Sequence, residues 1–399
     1  MKRAVISLAA VLSVLFLPLC VPAQTLLDSL FDPGPPAPPS RVAARQHYFG
    51  VENVDPVTGN VRKDRVIFSW FSNTSLAVAL KGRVVLLDAF INNRQDTPGR
   101  TPTTLNELVA LKPEAIFIGH GHFDHAELAG YIAAVTGATI VGAPEHCDMA
   151  RGDAQAVLGP TATVNCVEAV SRSSAPGAEV NALEVLKPDA CITVFKHVHS
   201  GVAAPDPTNP PNPVEPIPDP RDPVLFPPGP GPSDGVSSSG DGAAGALSLF
   251  YQFRVNHDNS FTFVWHDTVG LKEQAGPLSL YDIMRALPLT DIHFGSIVSL
   301  GFATNGVRDI ALYINAVEPK IFAPLHHDVV SPQSSSPFWK LAVEREFANH
   351  PDFHRPQLPW LYDHYDYLRP ELFTIDYKAP HWRKDADPLR PSGQCNWGV

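Results

Sequence analysis

One short segment constrains the fold and chemistry of this chain more than any other. Residues 120–125 have the sequence His-Gly-His-Phe-Asp-His, which places four metal-competent side chains within six positions. They follow an apolar run at 115–119 that is typical of a buried strand. Side chains two apart on an extended chain project to the same side, so His120 and His122 form one pair. Asp124 and His125 come where the chain turns into a helix, so their side chains point in a different direction from those of His120 and His122. The segment therefore predicts two adjacent metal ions with two ligands each.

This segment resembles the HxHxDH signature of the metallo-β-lactamase superfamily, and the resemblance extends from about Gln46 to the last third of the chain. It implies an α+β fold, a four-layer αββα metallo-β-lactamase sandwich that usually holds two metals. The wider pattern at 119–127, Gly-His-Gly-His-Phe-Asp-His-Ala-Glu, is most similar to the lactonase-like branch that includes ascorbate-6-phosphate lactonase. Exported members of that branch have no single substrate, so the resemblance does not imply one.

The resemblance also implies the remaining ligands, at strand ends in the superfamily's order. Both His197 and His199 qualify as the third ligand of the first metal, because each lies at the end of a strand predicted over 191–200. His199 is preferred, since His-Ser after a strand resembles the lactonase and phosphodiesterase branches. Asp267 matches the Asp of the superfamily's strand-end Gly-Asp-Thr and would bridge the metals. The implied ligand set is His120, His122 and His199 for the first metal, Asp124, His125 and His326 for the second, and Asp267 between them.

Several residues near these ligands have supporting or alternative roles. His326 follows Ala-Pro-Leu and matches the closing His of the second metal, with His327 as the adjacent alternative. Asp88 ends an early strand, and in the superfamily such an Asp orients the HxHxDH loop. His266 stands where the superfamily usually has Gly, so it either crowds the loop or adds an imidazole behind the ligands. Gly121 is expected to leave room for the backbone near the metals.

The ligand types suggest a reaction class. Two divalent cations, Zn preferred with Mn or Fe as alternatives, suit His and carboxylate ligands. The resemblance implies that they lower the pKa of a bridging water to give a hydroxide nucleophile, with the ligand Asp124 taking part in proton transfer. We therefore predict a metal-dependent hydrolase acting on an ester, lactone or phosphodiester of a small molecule. The alternatives are a β-lactam hydrolase on the same fold and a non-catalytic envelope binding protein.

The first 23 residues predict export. Lys2 and Arg3 precede an apolar stretch from Ala4 to Leu19, and Ala23 is the small residue that signal peptidases prefer. Lipidation at Cys20 is the alternative, although Leu19 is large where a lipobox has Gly, Ala or Ser. We expect a periplasmic, extracellular or envelope-associated protein without a stable membrane span.

Composition limits the class of partner and the domain organisation. The net charge is −11, and removing Lys2 and Arg3 with the leader gives −11 − 2 = −13, which argues against a nucleic-acid surface. We predict a Pro-rich linker at 24–45 and one domain at 46–399. That domain carries a Pro-rich insertion at 203–240 and a wrapping tail at 331–399.

Four cysteines remain beyond the leader, and none lies in a metal-ligand pattern such as CxxC. An even number in an exported chain suggests two disulfides. Cys147–Cys166 is the preferred pair on proximity, which leaves Cys191–Cys395. The sequence alone does not decide between the pairings.

Overall fold

A computed structural model describes residues 30–91, 103–208, 244–255, 261–328, 336–360 and 366–382 of this chain. The predicted signal peptide, most of the Pro-rich insertion, Cys20 and Cys395 lie outside the described residues. Within the described residues, no helix has both the length and the apolar character needed to cross a bilayer.

The first sheet has seven strands in the described part of the chain, ordered β13-β1-β2-β3-β4-β5-β6. The side chains of residues 66–71 point alternately to the two faces of β1. Phe68 therefore faces the second sheet, while Ile67 and Phe71 face helices. Both faces are therefore buried, which explains why this strand is apolar apart from Ser69 and Ser72. The strands are β1 (Val66–Ser72), β2 (Ser75–Leu80), β3 (Arg83–Leu87), β4 (Ala115–Phe117), β5 (Thr139–Gly142), β6 (Asn165–Glu168) and β13 (Thr374–Ile375).

The second sheet contains six described strands, ordered β12-β11-β10-β9-β8-β7. Its centre is antiparallel, because β9 pairs with both β8 and β10, whereas β10, β11 and β12 run parallel. The strands are β7 (Val180–Leu183), β8 (Ala190–His197), β9 (Ser248–Val255), β10 (Phe261–His266), β11 (Ile292–Ser296) and β12 (Ile321–Leu325).

Helices cover the outer face of each sheet. The first sheet packs against helices at Pro39–Phe49, Leu105–Leu111, Ala129–Thr136 and Pro144–Leu158. The second sheet packs against helices at Leu280–Ala286, Arg308–Val317 and Ser336–Asn349. Shorter helices lie at Val51–Asn53, Phe123–Ala126, Lys272–Ala275, Phe302–Asn305 and Pro370–Phe373. These elements form four layers, αββα, so the predicted fold class is confirmed.

Aromatic side chains form much of the core between the two sheets. Phe68 on β1 contacts Phe263 edge-on at 4.8 Å between ring centroids, and it contacts Phe294 at 4.6 Å. Phe253 stacks on Phe263 at 4.5 Å, and Phe117 on β4 packs against Phe253 at 5.1 Å. The contacts join strands of both sheets, so burial of these rings holds the sandwich together.

The predicted linker at 24–45 is wrong for its last part, because residues from Pro39 onward are helical rather than extended. Pro39 is at the first helical position, where its missing N–H removes no hydrogen bond. Ala44 and Tyr48, four residues apart, are both buried against the first sheet. The segment is therefore part of the domain, since burying this helical face outweighs the extended preference of the prolines before it.

The described parts of the C-terminal tail pack against both sheets of the domain. Thr374–Ile375 adds an edge strand beside β1, and Ile375 pairs with Val66. Trp360 packs with the helices outside the second sheet, whereas Phe373 and Trp382 reach the core between the sheets. The described parts of the tail therefore pack along the domain.

The structure contains the disulfide that the spacing favoured, between Cys147 on helix Pro144–Leu158 and Cys166 on β6. Cys191 is also disulfide-bonded, and its expected partner Cys395 lies outside the described residues. Neither Cys147 nor Cys166 belongs to a group of described residues that could hold a metal, so this bond is structural.

Replacing Cys166 with serine should lower the free energy of unfolding by about 3 kcal/mol, because the bond closes a loop across 19 positions. Cys166 is the better position to change, since it is only partly buried whereas Cys147 is fully buried. Denaturant titration of the oxidised wild type and the variant measures the difference. Equal midpoints and slopes would contradict a stabilising role for this disulfide.

Candidate metal centre

The candidate site lies where several strands of both sheets end. Asp88 directly follows β3, His120 is the third residue after β4, and Asp267 directly follows β10. His199 and His326 come after the ends of β8 and β12. The sandwich therefore brings residues that are far apart in sequence to one edge, as the strand-end pattern predicted.

Three histidines form the first group, His120, His122 and His199. The Nε2 atoms of His120 and His199 are 3.2 Å apart, and the His122 ring lies 4.8 Å from each of the other two rings. His199 Nδ1 is 2.7 Å from the carbonyl oxygen of Ser200, so it carries the proton and donates. His120 Nδ1 is 2.7 Å from Asp267 Oδ2 and donates in the same way. Each facing Nε2 is therefore an unprotonated lone pair.

The second group consists of Asp124, His125 and His326. The Nε2 atoms of His125 and His326 are 3.1 Å apart. Asp124 Oδ2 lies 3.6 Å from the first of these nitrogens and 3.5 Å from the second. His125 Nδ1 donates to Asp88 Oδ2 at 2.9 Å, so its Nε2 also presents a lone pair to the group.

Asp267 lies between the two groups and is buried. Its Oδ2 accepts hydrogen bonds from the backbone N–H and Nδ1 of His120, both at 2.7 Å, and lies 3.4 Å from His125 Nδ1. Its Oδ1 is buried and has no hydrogen-bond partner among the described residues. A buried carboxylate oxygen without a donor is costly unless a cation lies near it.

Asp88 holds the second group from behind. Its Oδ2 accepts from Thr74 Oγ1 at 2.8 Å and from His125 Nδ1, while its Oδ1 accepts from the N–H of Gly119 at 3.1 Å. These contacts orient the His125 ring and tie the start of the 120–125 segment to β3. This is the geometry of a residue that positions a ligand.

The electrostatics of the site favour ligand-competent protonation states. Burial, reinforced by His120, lowers the pKa of His199 to about 4 and that of His125 well below its usual value. Burial would raise the pKa of Asp124, but His125 and His326 hold it well below its usual range. The imidazoles of His199 and His125 therefore favour the neutral form and the Asp124 carboxylate the charged form near pH 7, as metal binding requires. His326 differs, because burial would lower its pKa but Asp124 raises it above its usual value.

These residues fit two divalent cations. Two lone pairs that face each other repel unless a cation lies between them, and Nε2 of His120 and Nε2 of His199 form such a pair at 3.2 Å. In the second group, the lone pair of His125 Nε2 lies 3.1 Å from His326 Nε2 and 3.6 Å from the Asp124 carboxylate. The Asp267 carboxylate lies beside both groups, with one oxygen free for a cation. Imidazole and carboxylate donors suit Zn, Mn and Fe alike.

His197 does not join this site. β8 ends at His197, so the strand alternation that placed His197 and His199 on one face does not continue to His199. The His197 ring packs instead under the helix layer, with Nδ1 3.1 Å from the hydroxyl of Tyr313. Of the two candidates, the structure brings His199 to the first group.

His266 lies behind the site and neither crowds the loop nor reaches the ligand groups. Its Nδ1 donates to the carbonyl oxygen of Thr268 at 2.8 Å, and its Nε2 is 2.7 Å from Nε2 of His293. Burial lowers the pKa of His266 to about 4, so the ring is neutral. Gly295 on the neighbouring strand provides the space for this pair, because a Cβ there would lie 2.6 Å from His266 Nε2.

His326 rather than His327 points into the site. His327 stacks on Trp360 at 5.7 Å and packs beside Trp70. His326 has a φ of 68°, which is uncommon for a residue with a side chain and is typical of functional positions. Its N–H donates to the carbonyl oxygen of Asn73 at 3.1 Å, which anchors this backbone conformation.

A pocket of about 250 Å³ opens above the two groups. Apart from the seven candidate ligands, its walls combine small hydroxyl side chains with two apolar ones: Ser200, Thr268, Ser296, Val298 and Leu300. The pocket is large enough for the reacting part of a small molecule.

The sequence analysis missed Gly119, Asn73 and Thr74. A Cβ at Gly119 would lie 2.1 Å from Cγ of Asp267, so only glycine allows this carboxylate to approach. Asn73 donates from Nδ2 to the carbonyl oxygen of Asp124 at 2.9 Å, and its positive φ of 42° is tolerated by Asn. Gly121 was expected to leave room beside the metals. In the structure a Cβ at this position would instead meet the backbone of Ala244.

Comparison with known proteins agrees with this geometry. Residues 69–248, which include the 120–125 segment, match the family model described as the metallo-beta-lactamase superfamily. This match makes the chain similar to the metallo-β-lactamase superfamily over somewhat less than half of its length. Two curated relatives, each a UPF0173 metal-dependent hydrolase, come from Pyrobaculum neutrophilum and Pyrobaculum calidifontis. They are 36% and 34% identical over 76 residues, which is 19% of this chain and 32% of each relative. The chain thus matches about a third of the length of these relatives.

Solved structures with a similar arrangement include Igni18, a metallo hydrolase from Ignicoccus hospitalis. It is 13% identical and has a TM-score of 0.45, over 75% of this chain and 95% of that one. Zn-bound PqqB from Methylobacterium extorquens is also 13% identical, with a TM-score of 0.40 over 79% of this chain and 88% of its own.

Proposed function

We propose that this chain is an exported, binuclear metal-dependent hydrolase of the metallo-β-lactamase superfamily that acts on an ester, lactone or phosphodiester of a small molecule. One observation carries the proposal: the Nε2 lone pairs of His120 and His199 face each other at 3.2 Å, beside the buried Asp267, whose Oδ1 has no hydrogen-bond partner among the described residues. The curated relatives that match part of the chain are named metal-dependent hydrolases, which supports the reaction class.

The chain's own residues would prepare the site for this chemistry. When bound, two divalent cations, Zn preferred, supply Lewis acidity that acidifies water and polarises a carbonyl or phosphoryl oxygen. Asp88 and Thr74 fix the His125 ring, and Asp267 fixes the His120 ring. Asp124 is the partly exposed carboxylate of the site, and its low pKa keeps it unprotonated and able to accept a proton.

The pocket supports a small substrate. Its 250 Å³ volume and its hydroxyl and aliphatic walls fit a compact ester, lactone or phosphodiester rather than a polymer. The acidic chain, at a net charge of −11, would repel nucleic acid. The disulfide between Cys147 and Cys166 fits an oxidising compartment and so supports export.

Elemental analysis of the purified chain from Gln24 onward tests the site first. We expect close to two transition-metal ions per chain, together with hydrolysis of 4-nitrophenyl esters, lactones or bis(4-nitrophenyl) phosphate that a chelator abolishes. Turnover of a chromogenic cephalosporin alone would favour the β-lactam hydrolase instead. A chain that binds no metal even after Zn or Mn is added would contradict the proposal and favour a non-catalytic binding protein.

A further inference from the structure

A second, larger cavity lies beside the metal pocket. Its volume is about 540 Å³, which is within the range of small-molecule sites. The two cavities share His199 and Ser200, so a molecule that reacts at the first can extend into the second. Nine of the fourteen residues that line the larger cavity are polar, and they include Lys196, Glu145 and Gln274.

Lys196 is the unusual residue in this wall, because its side chain is only 4% exposed. Lys196 lies on β8, on the same face as Ile192 and Val194, which pack in the core between the two sheets. Its position is at the edge of that core, where the cavity begins. Its ammonium donates to the carbonyl oxygens of Ser171 at 3.2 Å and Ser174 at 3.1 Å.

No carboxylate in the described part of the chain forms an ion pair with Lys196. An ammonium group has three donors, so two carbonyl contacts leave one donor over. Burying a charge without a counter-ion is costly, and an anion in the adjoining cavity would offset that cost. The smaller pocket, in contrast, has no Lys or Arg among its described lining residues.

We propose that the larger cavity binds an anionic group of the substrate, and that Lys196 is the specificity-determining residue that recognises it. The substrate class is then a small carboxylated molecule whose scissile bond reaches the metal pocket past His199. The reaction at the metals rests on the proposed function, whereas anion binding by Lys196 does not.

Glu145 lines the same cavity and provides an internal comparison. Its Oε1 accepts from the N–H of Ser173 at 3.0 Å, and its Oε2 is buried without a hydrogen-bond partner among the described residues. If the cavity selects an anion, Glu145→Gln should leave anion binding unchanged or stronger, because it removes a like charge. A cavity that selects a cation would show the reverse.

Two matched esters test the inference in the metal-loaded enzyme. Mono-4-nitrophenyl succinate carries a free carboxylate, and 4-nitrophenyl butyrate is its neutral counterpart. Lys196→Met should raise KM for the succinate ester by about tenfold or more, since it removes a charge-assisted hydrogen bond. Both kcat and the kinetics on the butyrate ester should stay unchanged. Lys340→Met is the control for loss of one charge, because Lys340 lines neither cavity and is 38% exposed.

Calorimetric titration with free succinate tests binding without turnover. Wild type and Lys196→Arg should bind succinate alike, and Lys196→Gln should bind it at least about tenfold more weakly. Equal binding by the Arg and Gln variants, no binding by wild type, or a loss confined to Glu145→Gln would each overturn the inference. Failure of the wild type to hydrolyse these esters, a lactone and bis(4-nitrophenyl) phosphate would overturn the proposed function alone, because the succinate titration still reports on Lys196.

Discussion

Replacing Asp267 with asparagine should reduce hydrolytic turnover by at least about 100-fold and lower metal content toward one ion per chain. The change removes the only negative charge that lies between the two candidate groups in the described structure. An amide nitrogen at the Oδ2 position would also face the N–H groups of His120, which need an acceptor. Elemental analysis and initial rates on the best ester, measured on the same preparation, give both quantities.

Asp282→Asn is a matched control, because Asp282 is an exposed carboxylate paired with Arg285 on the helix Leu280–Ala286. It should retain wild-type metal content and rates. If the Asp267 variant kept two metal ions and full activity, Asp267 would not bridge the metals, and its contacts with His120 would be structural only.

Gly119→Ala should reduce hydrolytic turnover nearly as much as Asp267→Asn, although Gly119 offers no metal ligand. The added Cβ would lie 2.1 Å from Cγ and 2.2 Å from Oδ2 of Asp267, so the carboxylate or the backbone must move. That movement breaks the contacts of Asp267 with His120 and of Gly119 N–H with Asp88. We expect weaker metal binding and a loss of turnover of about 100-fold, since a misplacement of 1 Å has effects of this size.

Gly152→Ala is the control for this substitution. Gly152 is an exposed position in the helix Pro144–Leu158, and a Cβ there has no neighbour within 4 Å. Alanine should therefore leave the metal site unchanged and stabilise the helix by about 0.5–1 kcal/mol. Wild-type metal affinity in Gly119→Ala, with a normal circular dichroism spectrum, would show that the loop adapts and that the close approach is dispensable.

Much of the candidate site was predictable because it depends on local pattern. The 120–125 segment follows a buried strand, and period-two alternation within it separates His120 and His122 from Asp124 and His125. The distant candidates Asp267 and His326 also lie just after strands, which a family pattern can locate without coordinates. The four-layer fold followed from the same resemblance.

The helix Pro39–Phe49 was missed because proline-rich composition favours extended chain, and only burial of Ala44 and Tyr48 against the first sheet makes a helix stable there. The choice between His197 and His199 depended on where β8 ends, which apolar periodicity does not locate to the residue. The strands β6 and β7 were also missed. Their residues are half exposed and lie at sheet edges, so they lack a strong apolar signal.

The sequence by itself determined which side chains can bind metal and in what order they occur, because ligand chemistry and strand alternation are local properties. Only the tertiary structure decided which atoms approach one another. The need for glycine at 119 arises from Asp267, which is 148 positions away, and the buried ammonium of Lys196 has meaning only beside a cavity that several segments enclose. Such constraints depend on packing between distant elements, and packing is not encoded in any single stretch of the chain.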